Sequence, residues 1–166
     1  MITNNDPQRT GADYKLELCT PSTIKPEELE ACFAIIKEGN AVSVASMKRD
    51  LPRATVLVIA RAITRIVGVG AIKPVRKQYA AEIAKKSGFE FPVETPELGY
   101  VAVHPNHRKR GLSRRITEAL LSRQPKRVFA TTDDAGMKKT LLQAGFSQKG
   151  KEWPGKRGML SYWERG

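Results

Sequence analysis

"ELGYVAVHPNHRKRGLSRRITEALL", residues 97–121, decides how the rest of the chain is read. It opens on an apolar run from Glu97 to Val103 whose composition suits an extended strand. Pro105 breaks that run, and Arg108, Lys109, Arg110 and Gly111 follow, with Arg114 and Arg115 just beyond. Leu112, Ile116, Ala119 and Leu120 then recur at helical spacing, so the basic turn leads into an amphipathic helix. A helix that opens here leaves its first backbone amides without intrahelical partners and presents the positive end of its dipole. Gly111 allows a ligand to come close to the backbone, and the cations around it add charge. Together these features fit a pyrophosphate. No Gly-Lys-Ser/Thr follows a glycine and the three-glycine dinucleotide fingerprint is absent, so ATP and NAD both fit poorly.

Working outward from this stretch, residues 1–13 read as a mobile tail and "YKLELCT" from Tyr14 alternates as a first strand. "PSTIKPEELEACFAIIKEGN", residues 21–40, offers Ser22 or Thr23 as a cap and early acidic residues. Its apolar positions are Leu29, Cys32, Phe33 and Ile36, and Gly39 with Asn40 forms a stop, which together predict an amphipathic helix. Two β-rich runs, about 56–61 and 65–72, flank a turn at Ile63 and Thr64 and should pair as a hairpin. Between Val75 and Gly88 the pattern is helical, with Tyr79, Ile83 and alanines on one side and lysines on the other. Pro92 and Pro96 keep the chain extended up to Glu97.

Beyond the central helix, which Pro125 should end, "KRVFATT" reads as a short strand and "DDAGMKKTLLQAGF" as a helix closed by Gly145. "GFSQKGKEW" and "GMLSYWER" form the arms of a last hairpin that turns at Pro154 and Gly155. This order predicts one mixed α/β (α+β) domain over residues 14–166, built around a single sheet.

Composition is consistent with that reading. The 166 residues are 40% hydrophobic and 28% charged, which suits one packed domain rather than disorder or a fibrous repeat. The polar N-terminus lacks the apolar core of a signal peptide, and the apolar run Ala54 to Ala60 is too short to span a bilayer, so the expectation is a cytoplasmic protein. Cys19 and Cys32 read as reduced, buried thiols. Lys and Arg total 29 against 17 Asp and Glu, a net charge of +12, which points to an anionic partner or simply to a solvated cationic surface.

The central stretch resembles the core motif of the GNAT family of N-acetyltransferases, in which a strand ending in Val-x-Pro precedes Arg/Gln-x-x-Gly-x-Gly/Ala at a helix start. Arg108, Gly111 and Ser113 occupy the three motif positions, with Ser113 replacing the usual Gly or Ala. The element order agrees over roughly residues 14–163. The resemblance implies a mostly antiparallel twisted sheet, splayed at the strand that holds acetyl coenzyme A and flanked by helices. It implies that the backbone of Val101, Ala102 and Val103 receives the thioester and pantetheine, with the Val101 amide stabilising the oxyanion. The diphosphate would rest on Arg108, Lys109, Arg110, Gly111, Leu112 and Ser113, with Arg114 adding charge. Strand alternation would set Glu97, Gly99, Val101 and Val103 on one face.

Glu97 stands four residues before Val101, where several family members carry the general base that deprotonates the amine. The other reading of Glu97 is a strand-end acid paired to a nearby Lys or Arg, and Glu94 is a weaker competitor for the base role. Many members carry a tyrosine general acid where this chain has Leu141, which leaves solvent, Tyr162 or Ser161 to protonate the thiolate, or binding without efficient chemistry. Asp134 falls where the family often has a pantetheine-binding Asn, although an Asp at such a place is more often simply the helix cap. His104 and His107, with a proline between them and no second ligand pair, do not make a metal site. Trp153, Tyr162 and Trp163 read either as core or as a stacking platform.

The implied reaction is acetyl transfer from acetyl-CoA to a primary amine. Lys73, Arg76, Lys77, Lys85 and Lys86, and Lys149, Lys151, Lys156 and Arg157, lie on segments near which the family builds its acceptor cleft. A polyamine or aminoglycoside would be repelled by them, whereas an amine on an acidic protein, a small anionic metabolite or an aminoacyl group on tRNA would not. Two further readings stay open: a nucleic-acid-binding protein that keeps the fold with little turnover, and a tRNA-targeting toxin, against which Leu141 counts. The expected assembly is a monomer or homodimer.

Overall fold

A computed structural model of the chain describes residues 14–39, 41–124 and 126–166. The expected tail at 1–13, the stop at Asn40 and the break at Pro125 therefore lie outside the described residues. Among the described residues the chain forms seven strands: β1 (Tyr14–Cys19), β2 (Val56–Ala62), β3 (Arg65–Lys73), β4 (Glu97–Val103), β5 (Val128–Thr132), β6 (Ser147–Pro154) and β7 (Met159–Arg165). Five helices accompany them: α1 (Pro26–Glu38), α2 (Val44–Asp50), α3 (Lys77–Ser87), α4 (Leu112–Leu121) and α5 (Ala135–Gln143). The sequence reading leaves residues 41–53 unassigned. There Ser43 caps the seven-residue α2, its side chain accepting from the Ser46 amide, and a single turn of 3-10 helix follows at Leu51–Arg53.

The strands form one sheet in the order β1-β2-β3-β4-β5-β7-β6. Every neighbouring pair is antiparallel except β4 and β5, which run parallel and are in register only at Glu97 and Phe129. Past that point the two strands diverge, which is the expected splay. Helices cover both faces. α4 and α5 pack one face through Leu112, Ile116, Leu120 and Leu141 against Val58, Val67 and Leu98. On the other face, α1 and α2 cover Leu57, Ile59 and Val69, while α3 joins Phe129 and Tyr162 through Ile83.

Two glycines of β3 set how closely α4 approaches the sheet. A Cβ at Gly70 would lie 2.4 Å from Ile116 Cγ2 and one at Gly68 would lie 3.0 Å from Ile116 Cδ1, so α4 rests directly on the β3 backbone. That contact fixes the start of α4 relative to β4, the geometry on which the site depends.

Uniform alternation along β4 does not hold. The register with β3 slips between Val69 and Ala71, opposite Tyr100, whose φ is 55°. A bulge of this kind inserts one residue and reverses the facing of everything after it. Glu97, Gly99 and Tyr100 consequently face the α1–α3 side, whereas Val101 and Val103 pack on the α4 side.

Candidate active site

The divergence of β4 from β5 opens a cleft of about 1110 Å³. At one end lies the start of α4, walled by Arg108, Lys109, Gly111, Leu112, Ser113 and Arg114. The floor is β4 from Glu97 to Val103, facing Ala130–Thr132 of β5. The far end is lined by Asp50, Arg53, Lys73, Arg76 and Tyr79.

The basic turn is shaped by two left-handed residues, Lys109 at φ 61° and Gly111 at φ 76°, with Gly111 as the N-cap of α4. The first α4 amides therefore have no intrahelical acceptor and stand at the cleft, a ready anion site. A Cβ on Gly111 would meet nothing within 4 Å, so the space in front of that backbone is open. Arg108 turns back and donates from Nε to the Val103 carbonyl at 3.0 Å, tying the turn to the end of β4. Arg114 lines the cleft and donates to Glu118. The Arg110 side chain departs from the expected arrangement: its guanidinium donates to the Tyr14 hydroxyl at 3.0 Å, which also bonds His107 Nδ1 at 2.8 Å. Arg110 is not among the residues that line the cleft. Burial and the Arg110 charge hold His107 below the usual imidazole range.

At the far end, Glu97 is 4% exposed and both its carboxylate oxygens are occupied. Oε1 lies 2.6 Å from Lys73 Nζ, and Oε2 accepts from the Tyr79 hydroxyl at 2.9 Å. The paired-acid reading of Glu97 thus describes its surroundings, and the same carboxylate also lines the cleft. Lys73 Nζ sits over the rings of Tyr79 and Tyr100, 5.4 and 5.1 Å from their centroids. Burial, and then the negative charge of Glu97, push the Tyr79 phenol well above its usual value. Glu94 is exposed and lies away from the cleft.

The closing strand contributes no proton donor to the cleft. Tyr162 is fully buried, stacked on Phe91 and Phe129, and its hydroxyl donates to Glu164 at 3.0 Å. β7 alternation turns it toward the α3 layer. Ser161 is buried as well, donating to the Thr132 carbonyl and accepting from Trp163 Nε1. Leu141, Trp153 and Trp163 are core residues. Asp134 lines the cleft and caps α5, its Oδ2 accepting from the Met137 amide at 2.8 Å. His104 accepts from the Asn106 amide, and no group of metal-ligating side chains exists among the described residues.

Three residues have partners that the sequence does not reveal. Arg157, in the β6–β7 turn, binds Asp133 and donates to the Gly39 carbonyl, joining three elements at the cleft. Lys73 was visible as the lone cation ending an apolar strand, but its partner depends on register. Tyr79 read as an apolar position of a helix.

Residues 21–140 match the sequence model of the acetyltransferase (GNAT) family. The chain belongs to the GNAT acetyltransferases. Solved GNAT-like structures share the fold. Escherichia coli ElaA superposes with a TM-score of 0.68 at 12% identity over 92% of this chain and 99% of its own. An acyl-CoA N-acyltransferase from Pseudomonas aeruginosa gives the same values. A ribosomal-protein-alanine N-acetyltransferase from Brucella melitensis gives 0.61 at 18% identity over 91% and 98%. No curated protein sequence matches the chain. As a GNAT domain it uses an acyl-CoA donor, and no described helix is long and apolar enough to cross a membrane.

Proposed function

We propose that this GNAT domain transfers an acetyl group from acetyl-CoA to a primary amine carried by an anionic molecule. The observation that carries the reading is the continuous cleft joining the free α4 amides to the Glu97 carboxylate along the splayed β4. The diphosphate would rest on the turn from Arg108 to Ser113, with Arg114 and Lys139 nearby. The pantetheine would follow the β4 backbone at Val101, Ala102 and Val103, with Asp134 at its side. The Val101 amide, at the bulge and outside the regular register with β3, would donate to the oxyanion. Glu97 would take the amine proton, which general-base catalysis requires at hydrogen-bond distance.

Charge at the acceptor end supports an anionic carrier. Asp50, Glu97 and Asp133 are each paired with a cation of the same chain: Arg49, Lys73 and Arg157. Burial favours the protonated form of Asp50, yet Arg49, Lys73 and Arg76 hold its carboxyl below the ordinary value. Arg76 lies 3.9 Å from Asp50 and is half-exposed, and Arg53 makes no ion pair among the described residues. Glu38 and Asp134 also line the cleft, so its whole lining carries eight Lys and Arg side chains against five carboxylates, a cationic surplus that disfavours a polyamine and suits a carboxylate- or phosphate-bearing acceptor.

Calorimetric titration with acetyl-CoA, then thiol release with a panel of acidic peptides, anionic amino metabolites, aminoacyl-tRNA and spermidine, tests the proposal. Saturable binding and turnover with an anionic acceptor is the expected result. Fastest turnover with spermidine would overturn the acceptor class. Absent acetyl-CoA binding, with RNA binding that weakens steeply as salt rises, would favour a nucleic-acid-binding protein instead.

A further inference from the structure

Three lysines line the cleft, Lys73, Lys109 and Lys139, and of these it is Lys73 that pairs with Glu97. Its position resembles that of a substrate more than that of a surface cation. The side chain is nine-tenths buried, with Nζ 2.6 Å from a carboxylate oxygen and between two aromatic rings. It extends along β4: Cε lies 3.7 Å from where a Cβ on Gly99 would sit, and Nζ lies 5.1 Å from the Tyr100 ring. Gly99 and Tyr100 immediately precede Val101, and the bulge turns Tyr100 onto the face that Lys73 occupies. An amine is therefore held against a carboxylate, close to the backbone where the thioester carbonyl would be bound.

We propose that Lys73 is a self-acetylation site, its Nζ taking the acetyl group from acetyl-CoA bound in the same cleft. This rests on the reading of the cleft as an acetyl-CoA site with Glu97 as base. One ammonium proton passes to Glu97 Oε1, and the free amine adds to the thioester carbonyl carbon. The carbon–sulfur bond breaks, the nitrogen gives a second proton to the departing thiolate, and free coenzyme A leaves. Glu97 returns its proton to solvent. The product is a neutral acetamide, so the ion pair and both cation–π contacts are lost and Glu97 keeps only the Tyr79 hydrogen bond. Lys73 also marks where an external amine must stand, which makes the modification a built-in block of the acceptor position.

The experiment is incubation of the full chain with acetyl-CoA, followed by tryptic mass mapping. Residues 66–76 form a single peptide, bounded by Arg65 and Arg76, in which Lys73 is the sole lysine. The expected result is one acetyl group on this peptide at a rate at least about tenfold above that at exposed Lys85 and Lys86. The rate should fall by about a hundredfold in Glu97→Gln. Lys73→Arg, which keeps the cation, should remove that single acetyl from the intact mass. Calorimetric binding of acetyl-CoA with Lys73 unmodified, or modified no faster than Lys85 and Lys86, overturns the self-acetylation and leaves the proposed function standing. Absent binding overturns both. An undiminished rate in Glu97→Gln overturns the route through Glu97.

Discussion

Lys73 and Glu97 invite a double-mutant cycle whose outcome follows from burial. Their side chains are 8% and 6% exposed and 2.6 Å apart. Removing one partner strands the other charge in a low-dielectric site, a change that costs about 3–5 kcal/mol. Glu97→Leu also leaves the Tyr79 hydroxyl without its acceptor, so it should lie toward the upper end of that range. Lys73→Met combined with Glu97→Leu replaces the pair by apolar side chains of similar length. Its cost should be under about 2 kcal/mol, because neither charge then needs solvating. The singles would sum to about 6–10 kcal/mol, so the coupling should exceed about 4 kcal/mol, far outside the usual range for independent sites. Urea unfolding followed by the fluorescence of buried Trp153 and Trp163 measures all four corners. For a domain of this size each single should also lower Tm by roughly 6–20 °C. A double mutant that costs the sum of the singles, or singles below about 1 kcal/mol, would refute the buried-pair reasoning.

Three further outcomes follow from other parts of the molecule. Gly111→Val should cost about 1–2 kcal/mol for a side chain at φ 76° and lower acetyl-CoA affinity at least about tenfold by filling the open space before the α4 amides. Unchanged calorimetric affinity in that variant would sink the pyrophosphate assignment. Gly70→Val should destabilise by about 1–3 kcal/mol or more, since its Cβ would meet Ile116 Cγ2 at 2.4 Å, and a thermal melt at the wild-type temperature would show that α4 does not rest on β3 as described. The Arg157 hydrogen bond holds the Asp133 carboxyl below its ordinary value of 3.8. A depressed folded-state value means that the stabilisation is complete above pH 3.8 and is lost as pH falls through the folded value. Arg157→Ala should therefore differ from wild type by under about 1 kcal/mol near neutrality and by less as pH falls, down to what the non-titrating Gly39 hydrogen bond contributes. A difference that is the same at neutrality and in acid would refute the Asp133 bridge.

Much of this architecture is carried by local pattern. Apolar runs bounded by turn residues specify β2, β3 and β4, and helical spacing after Gly111 specifies α4, because both signals depend on periodicity within a few residues. The basic turn was legible for the same reason, since cations, a glycine and a helix start are adjacent in sequence. The short α2 went unread, being seven residues long with one buried position, Met47, too few to show a period. What the chain alone determined, then, is a GNAT-type order of elements and a basic, glycine-capped helix start. Tertiary structure decided everything that depends on register between distant strands. The bulge at Tyr100 exists because β4 slips against β3, and that slip sends Val101 and Glu97 to opposite faces. Tyr162 was turned into the α3 layer by the pairing of β7 with β5, and Arg110 was drawn off by Tyr14, 96 positions away. Lys73 meets Glu97 only because β3 and β4 pair them directly across the sheet. No spacing along the chain encodes such partnerships, because they are energetic consequences of which surfaces are buried together.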